Sequence, residues 1–242
     1  MTIKPAATIK IILLDIEGTT TPIDFVVQVL FPYARTHLKN YLAKHWDTAE
    51  VQADLIKLQA ENITDAQPLE ITQPDSVMRY LAWLMEQDRK STPLKSLQGK
   101  VWEAGYRGGA LKSQIFADVP LAFTRWQQQQ KRICIFSSGS TLAQKLLFEF
   151  TEFGDLSSFI SGWFDTNIGA KKEAESYPRI AAGLNCAAHE ILFISDVTAE
   201  LQAARSAGMQ TILSVRPGNQ SQPDAASYAQ VQSFAEIIDP HS

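Results

Sequence analysis

Lys10-Ile11-Ile12-Leu13-Leu14-Asp15-Ile16-Glu17-Gly18-Thr19-Thr20-Thr21 is the stretch on which the fold turns. Ile11 to Leu14 is an unbroken apolar run, too short for a helix and followed at once by turn residues. It reads as a strand buried on both faces of a parallel sheet. Asp15 stands where the run stops, and ligands in open α/β sheets bind at the carboxyl ends of strands. With two more extended residues, Ile16 points away and Glu17 returns beside Asp15. Gly18 permits a sharp turn, and Thr19 and Thr20 add hydroxyls. Two close carboxylates repel, so one takes a raised pKa or both face a cation. The reading is Asp15 as nucleophile, Glu17 as acid/base partner and a hard divalent ion between them. Mg²⁺ suits such a site because it takes one or two carboxylates and keeps waters and phosphate oxygens as its other ligands. A bare Asp-x-Glu also occurs on solvated turns; the buried strand before it and Gly-Thr-Thr after it set this one apart.

The rest of the composition narrows the class. The chain has 242 residues, 45% of them hydrophobic, which suits one large domain or a core with a smaller insertion. A net charge of −4 lacks the basic excess of a nucleic-acid surface. Cys134 and Cys186 show no framework spacing, so a reduced, cytoplasmic setting is expected. The apolar run after Lys4 and Lys10 ends too early for a signal peptide, and no stretch approaches a membrane span. His37, His45, His189 and His241 show no zinc spacing. A monomer is expected.

Beyond Thr21 the apolar period becomes helical. Phe25, Val26, Val29, Leu30, Tyr33, His37, Leu38, Tyr41 and Leu42 share helical spacing over 24–46. Pro32 either kinks this stretch or starts a second helix. Further helices are predicted over 47–58, capped by Asp47 or Thr48, from Pro74 onward, and over about 94–106, with 62–72 as loop. No strand is read between about 24 and 112. Residues 23–112 therefore form an all-helical insertion, and 1–22 with 113–242 form the core. The alternation resumes near Asp118, with helices over 119–130, 142–150, 176–184 and 198–207. Strands fall at 133–136, 159–164, 191–194 and 211–215. The fold class is α/β, a doubly wound, Rossmann-like parallel sheet, with the helical block as a cap over its carboxyl edge.

Three strand ends carry polar residues suited to a phosphate site. Asp15 and Glu17 follow the first. Ser137 and Ser138 follow the second, just before a helix, where free N–H groups and the helix dipole favour an anion; plain N-capping is the other reading. Asp196 follows the strand at 191–194, with Glu200 one turn later, either as a cap or facing the acids. Lys171 lies on a loop and is either solvated or part of the site. A carboxylate attacking a phosphate dianion meets repulsions of about 4 kcal/mol per unit charge at about 4 Å and an effective dielectric near 20. One divalent ion and one Lys suffice to offset them.

The order acid pair, Ser, Lys, Asp resembles that of the haloacid dehalogenase superfamily of aspartate-nucleophile phosphatases. Within it the chain is similar to the enolase-phosphatase family of methionine salvage. The segments that carry the likeness are 13–23 (Leu-Leu-Asp-Ile-Glu-Gly-Thr-Thr-Thr-Pro-Ile), 30–33, 88–99, 137–140, 143–148, 164–171, 194–200 and 215–219. Most superfamily phosphatases have Asp where Glu17 stands; the Glu-Gly-Thr-Thr form points to this family. The resemblance implies a haloacid dehalogenase-like core, Asp15 attacking phosphorus, and Glu17 protonating the leaving oxygen and later activating water. It implies Ser137 and Ser138 holding phosphate oxygens, with Lys171 neutralising charge. One Mg²⁺ would be held by Asp15, the Glu17 carbonyl and Asp196, with Glu200 behind. The implied substrate is a methylthio-diketopentyl phosphate, enolised and then dephosphorylated. The enolisation base is left unassigned, with Glu17 the nearest candidate. A phosphatase of another small ester and a non-enzymatic phosphoacceptor module are the rival readings. A long helical insertion argues against the second, because excluding water serves an enzyme.

Overall fold

The computed structural model describes residues 2–64, 73–87, 89 and 91–238. The chain divides into two compact units, Met1–Val26 with Lys112–Ser242, and Val27–Leu111.

The first unit is built on a six-stranded sheet. Its strands are β1 (Ile11–Leu14), β2 (Arg132–Phe136), β3 (Ile160–Phe164), β4 (Ile191–Ser195), β5 (Gln210–Ser214) and β6 (Ala229–Val231). All pairings are parallel, in the order β3-β2-β1-β4-β5-β6. β1 lies at the centre, with Leu14 in register with Ile135 of β2 and Ile194 of β4. That register sets residues 15, 136–137 and 195–196 side by side at one end of the sheet. Alternation divides the strands between two faces. Ile11, Leu13, Cys134, Phe136, Ile191 and Phe193 pack in one cluster with Tyr177, Ile180, Leu201 and Ala204. The last four lie on α7 (Ser176–Gly183) and α8 (Thr198–Ser206). Each large apolar side chain so buried contributes about 1.5–3 kcal/mol relative to exposure. α5 (Asp118–Gln128) packs against β2, and α6 (Thr141–Glu149) packs against β3. β6 goes beyond the strands read from sequence, because Ala229 and Gln230 are exposed and no apolar run marks it.

The second unit is helical, with α1 (Phe31–His45), α2 (Ala49–Ile63), α3 (Pro74–Glu86) and α4 (Thr92–Arg107). Leu38, Leu42, Leu58, Val77, Leu81 and Leu97 form its core. Pro32 falls in the first turn of α1, and the preceding Phe25–Leu30 is wound as π-helix. Pro32 has no N–H to offer the turn before it, so the α-helical ladder begins only there. Thr48, not Asp47, caps α2 by accepting from the Val51 amide at 3.4 Å. Of the loop read over 62–72, Asn62 and Ile63 close α2, and 65–72 lie outside the described residues. Asp88 and Lys90 of segment 88–99, and His241, also lie outside them. Among the described residues no helix is long and apolar enough to cross a membrane.

Candidate active site

Every residue of the site belongs to the sheet unit. Asp15 continues the line of β1, its amide donating to the Ile194 carbonyl at 3.0 Å, and its side chain is buried. The chain then turns at once. The Ile16 carbonyl accepts from the amides of Thr19, Thr20 and Thr21 at 2.9–3.1 Å, and Gly18 takes φ +69°. A side chain at Gly18 would be strained there, and its Cβ would sit 2.5 Å from Asp196 Oδ2 and 2.8 Å from Asn219 Oδ1. The glycine thus lets the turn close onto the end of β4.

Lys171 is the electrostatic centre. Its ammonium lies 2.5 Å from Asp15 Oδ1 and 2.7 Å from Glu200 Oε2, with the side chain 8% exposed. Ser195 Oγ donates to Glu200 Oε2 at 2.8 Å and reaches Asp15 Oδ2 only at 3.5 Å. One oxygen of Asp15 is therefore tied to the lysine and the other is loosely held. Burial works against the lysine's charge, but Asp15 and Glu200 outweigh it and hold its pKa above the ordinary value. Burial pushes Asp15 up, against the pull of Lys171 and with a further push from Glu17. Glu200 is raised by burial and then by Asp15, with Lys171 opposing.

Asp196 is buried beside them and bonds no cation among the described residues. Burial first, then Asp15, pushes its pKa up to about 7. Buried Asp15, Asp196 and Glu200 thus face one ammonium. That surplus of negative charge is what a bound cation offsets. No cluster of three His, Cys, Asp or Glu side chains is set for a metal among the described residues. A hard ion that needs one or two carboxylates and completes its shell with water and phosphate oxygens still fits. Asn219 Oδ1, buried and without a hydrogen-bond partner, lies against the same face of Gly18 as Asp196 Oδ2 and adds an oxygen to that side.

The structure brings Asp15, Glu17, Ser137, Lys171, Asp196 and Glu200 together. Glu17 is half-buried, with Oε2 at 3.5 Å from Ser137 Oγ. Ser137 is buried and accepts from the Gly139 amide, whereas Ser138 is exposed. Neither caps the helix: Ser140 does, accepting from Ala143 at 3.3 Å. Glu200 bonds Lys171 and Ser195 and lies close enough to Asp196 to help raise its pKa.

Sequence reasoning passed over Tyr177, Arg216 and Asn219. Arg216 Nε donates to the Thr19 carbonyl and Nη1 to Asp118 Oδ1, at 3.2 and 3.0 Å. Its guanidinium lies 4.6 Å from each of the Phe116 and Phe234 ring centroids. Asn219 Nδ2 donates to the carbonyls of Gly18 and Ser214. Both hold the turn after Asp15. From sequence the Arg-Pro-Gly-Asn run marked the end of a strand and a segment of the family likeness, without a role for either side chain.

The haloacid dehalogenase-like hydrolase family model matches residues 9–208. The chain is 51% identical over 236 residues to a Synechococcus elongatus protein named "Enolase-phosphatase E1", across 95% of this chain and 98% of that one. It is 42% identical over 236 residues to the protein of that name from Drosophila grimshawi, across 95% of this chain and 96% of the other. The crystal structure of the UTR4 protein of Saccharomyces cerevisiae superposes with a TM-score of 0.79 at 35% identity, covering 93% of this chain and 98% of that one.

Proposed function

Because the chain belongs to the haloacid dehalogenase-like hydrolase family and, within it, to the enolase-phosphatases E1, we propose a specific division of labour for its two-step reaction. The enzyme enolises 2,3-diketo-5-methylthiopentyl-1-phosphate and then dephosphorylates it to the acireductone 1,2-dihydroxy-3-keto-5-methylthiopentene, in methionine salvage. It works with a divalent metal ion, which we assign as Mg²⁺.

The observation that carries the reading is the Lys171 ammonium between Asp15 and Glu200, with Asp196 beside them. The loosely held oxygen of Asp15 attacks phosphorus and forms an aspartyl-phosphate. Glu17 gives its proton to the departing ester oxygen, then takes one from the water that cleaves the acyl phosphate, regenerating the Asp15 carboxylate and releasing phosphate. Ser137 and Ser138 hold phosphoryl oxygens. Lys171, kept charged by its two carboxylates, stabilises charge growing on the transferred group. Asp15, the Glu17 carbonyl and Asp196 would hold the metal, which supplies Lewis-acid stabilisation to the phosphoryl and enolate oxygens. The helical unit, Val27–Leu111, is assigned as the family's cap insertion, read from sequence over 23–112, and the chain as a cytoplasmic monomer.

The test is turnover of the diketo ester with and without Mg²⁺, following phosphate release and ultraviolet absorbance together. An absorbing enol that precedes phosphate, with both signals lost in chelator, is expected. Phosphate release with no enol signal would make the enzyme a plain phosphomonoesterase. Enolisation that survives chelation would confine the ion to phosphoryl transfer.

A further inference from the structure

Tyr177 sits on the first turn of α7, fully buried. Its ring packs edge-on against Phe136 at 5.8 Å and tilted against Phe193 at 5.4 Å, side chains of β2 and β4. Its hydroxyl lies 2.5 Å from the Lys171 carbonyl and 3.1 Å from the Glu200 carbonyl. Both partners are acceptors, so the phenol must keep its proton and donate. Burial, then Glu200 and Asp15, raise its pKa and keep the proton there. The loop that carries Lys171 is shaped by its own turns, Ile168 N–H to the Asp165 carbonyl and Glu173 N–H to the Ala170 carbonyl, and by Ser176 Oγ, which donates to the Ala170 carbonyl at 2.7 Å. Tyr177 is the side chain that bonds the main chain of Lys171 itself.

We propose that Tyr177 is a positioning residue for Lys171: its hydroxyl fixes the lysine's main chain so that the ammonium arrives between Asp15 and Glu200. The proposal rests on Lys171 serving the phosphoryl site. A reacting group displaced by about 1 Å can lose about 10²-fold in rate.

Tyr177→Phe keeps both ring contacts and removes only the hydroxyl. In the full-length, Mg²⁺-loaded enzyme it is expected to retain the far-ultraviolet circular dichroism spectrum and lose about 10- to 100-fold in kcat. Inhibition by inorganic phosphate should weaken in step with kcat, because both depend on where the ammonium lies. Unchanged kcat and phosphate inhibition would overturn the proposal. So would a lost spectrum, which would assign the hydroxyl to the general fold. Lys171→Ala measured alongside separates the two layers. Full turnover in it would sink the site reading itself. Inactive Lys171→Ala with wild-type-like Tyr177→Phe would sink only the Tyr177 proposal.

Discussion

Lys171 and Lys172 are neighbours on one turn, but Lys171 is buried in two ion pairs and Lys172 is exposed. Lys171→Ala should lower kcat/KM by at least about 10²-fold, the range for losing a preorganised charge at the transferring group. Lys172→Ala should leave it nearly unchanged. Equal losses in steady-state kinetics would mean that the buried ammonium is not the working one. At this scale the acids were legible: an apolar strand ending on Asp15 and Glu17 is a pattern any reader can test. The charge of a phosphate site called for a cation such as Lys171, but only resemblance chose the site over solvent, because its loop has no period that assigns a direction to a side chain. Ser137 and Ser138 looked alike in sequence; coordinates separate them by burial and give the capping role to Ser140. Tyr177 could not be found, since an aromatic on a helix face reads as core, and its ring is core. Only its hydroxyl has a second role.

Strands were legible where burial on both faces forces an apolar run, as in β1, β2 and β4. The edge strand β6 was not, because Ala229 and Gln230 answer to solvent. The winding of Phe25–Leu30 was also hidden, since π and α turns demand nearly the same apolar spacing. The entry to the central strands carries an acid-sensitive clamp. The Lys10 amide donates to the Glu190 carbonyl at 2.8 Å, and its ammonium lies 2.5 Å from Glu190 Oε1. Hydrogen bonds from Lys10, then the Ala187 amide and the Cys186 thiol, hold the Glu190 pKa down from 4.5 to about 2. A depressed carboxylate stabilises the fold above its unfolded pKa, and that contribution fades as pH falls through the folded one. The clamp's share should therefore be intact above about pH 4.5 and gone near pH 2. Glu190→Gln should lower the thermal midpoint at neutral pH and flatten its fall over that window. Parallel acid melting curves for the two proteins would contradict the assignment.

At the scale of the whole molecule, the parallel sheet does for the chemistry what no local segment can. Asp15, Ser137, Lys171 and Asp196 are separated by up to 181 residues in the chain, yet the parallel pairing of β1 with β2 and β4, and of β2 with β3, delivers their loops to one edge. The alternation of strands and helices announced that edge from sequence. The partition of charge within it, one ammonium against three buried carboxylates, required coordinates because it depends on which way each loop folds back. The account stands on Asp15 as the atom donor to phosphorus. The most direct measurement is acid-quenched single turnover with substrate radiolabelled in the phosphoryl group, comparing the native enzyme, Glu17→Gln and Asp15→Asn. The account predicts an alkali-labile label on the peptide carrying Asp15, more persistent in Glu17→Gln, and neither label nor phosphate release in folded Asp15→Asn. Label on another residue, or turnover retained by Asp15→Asn, would contradict it.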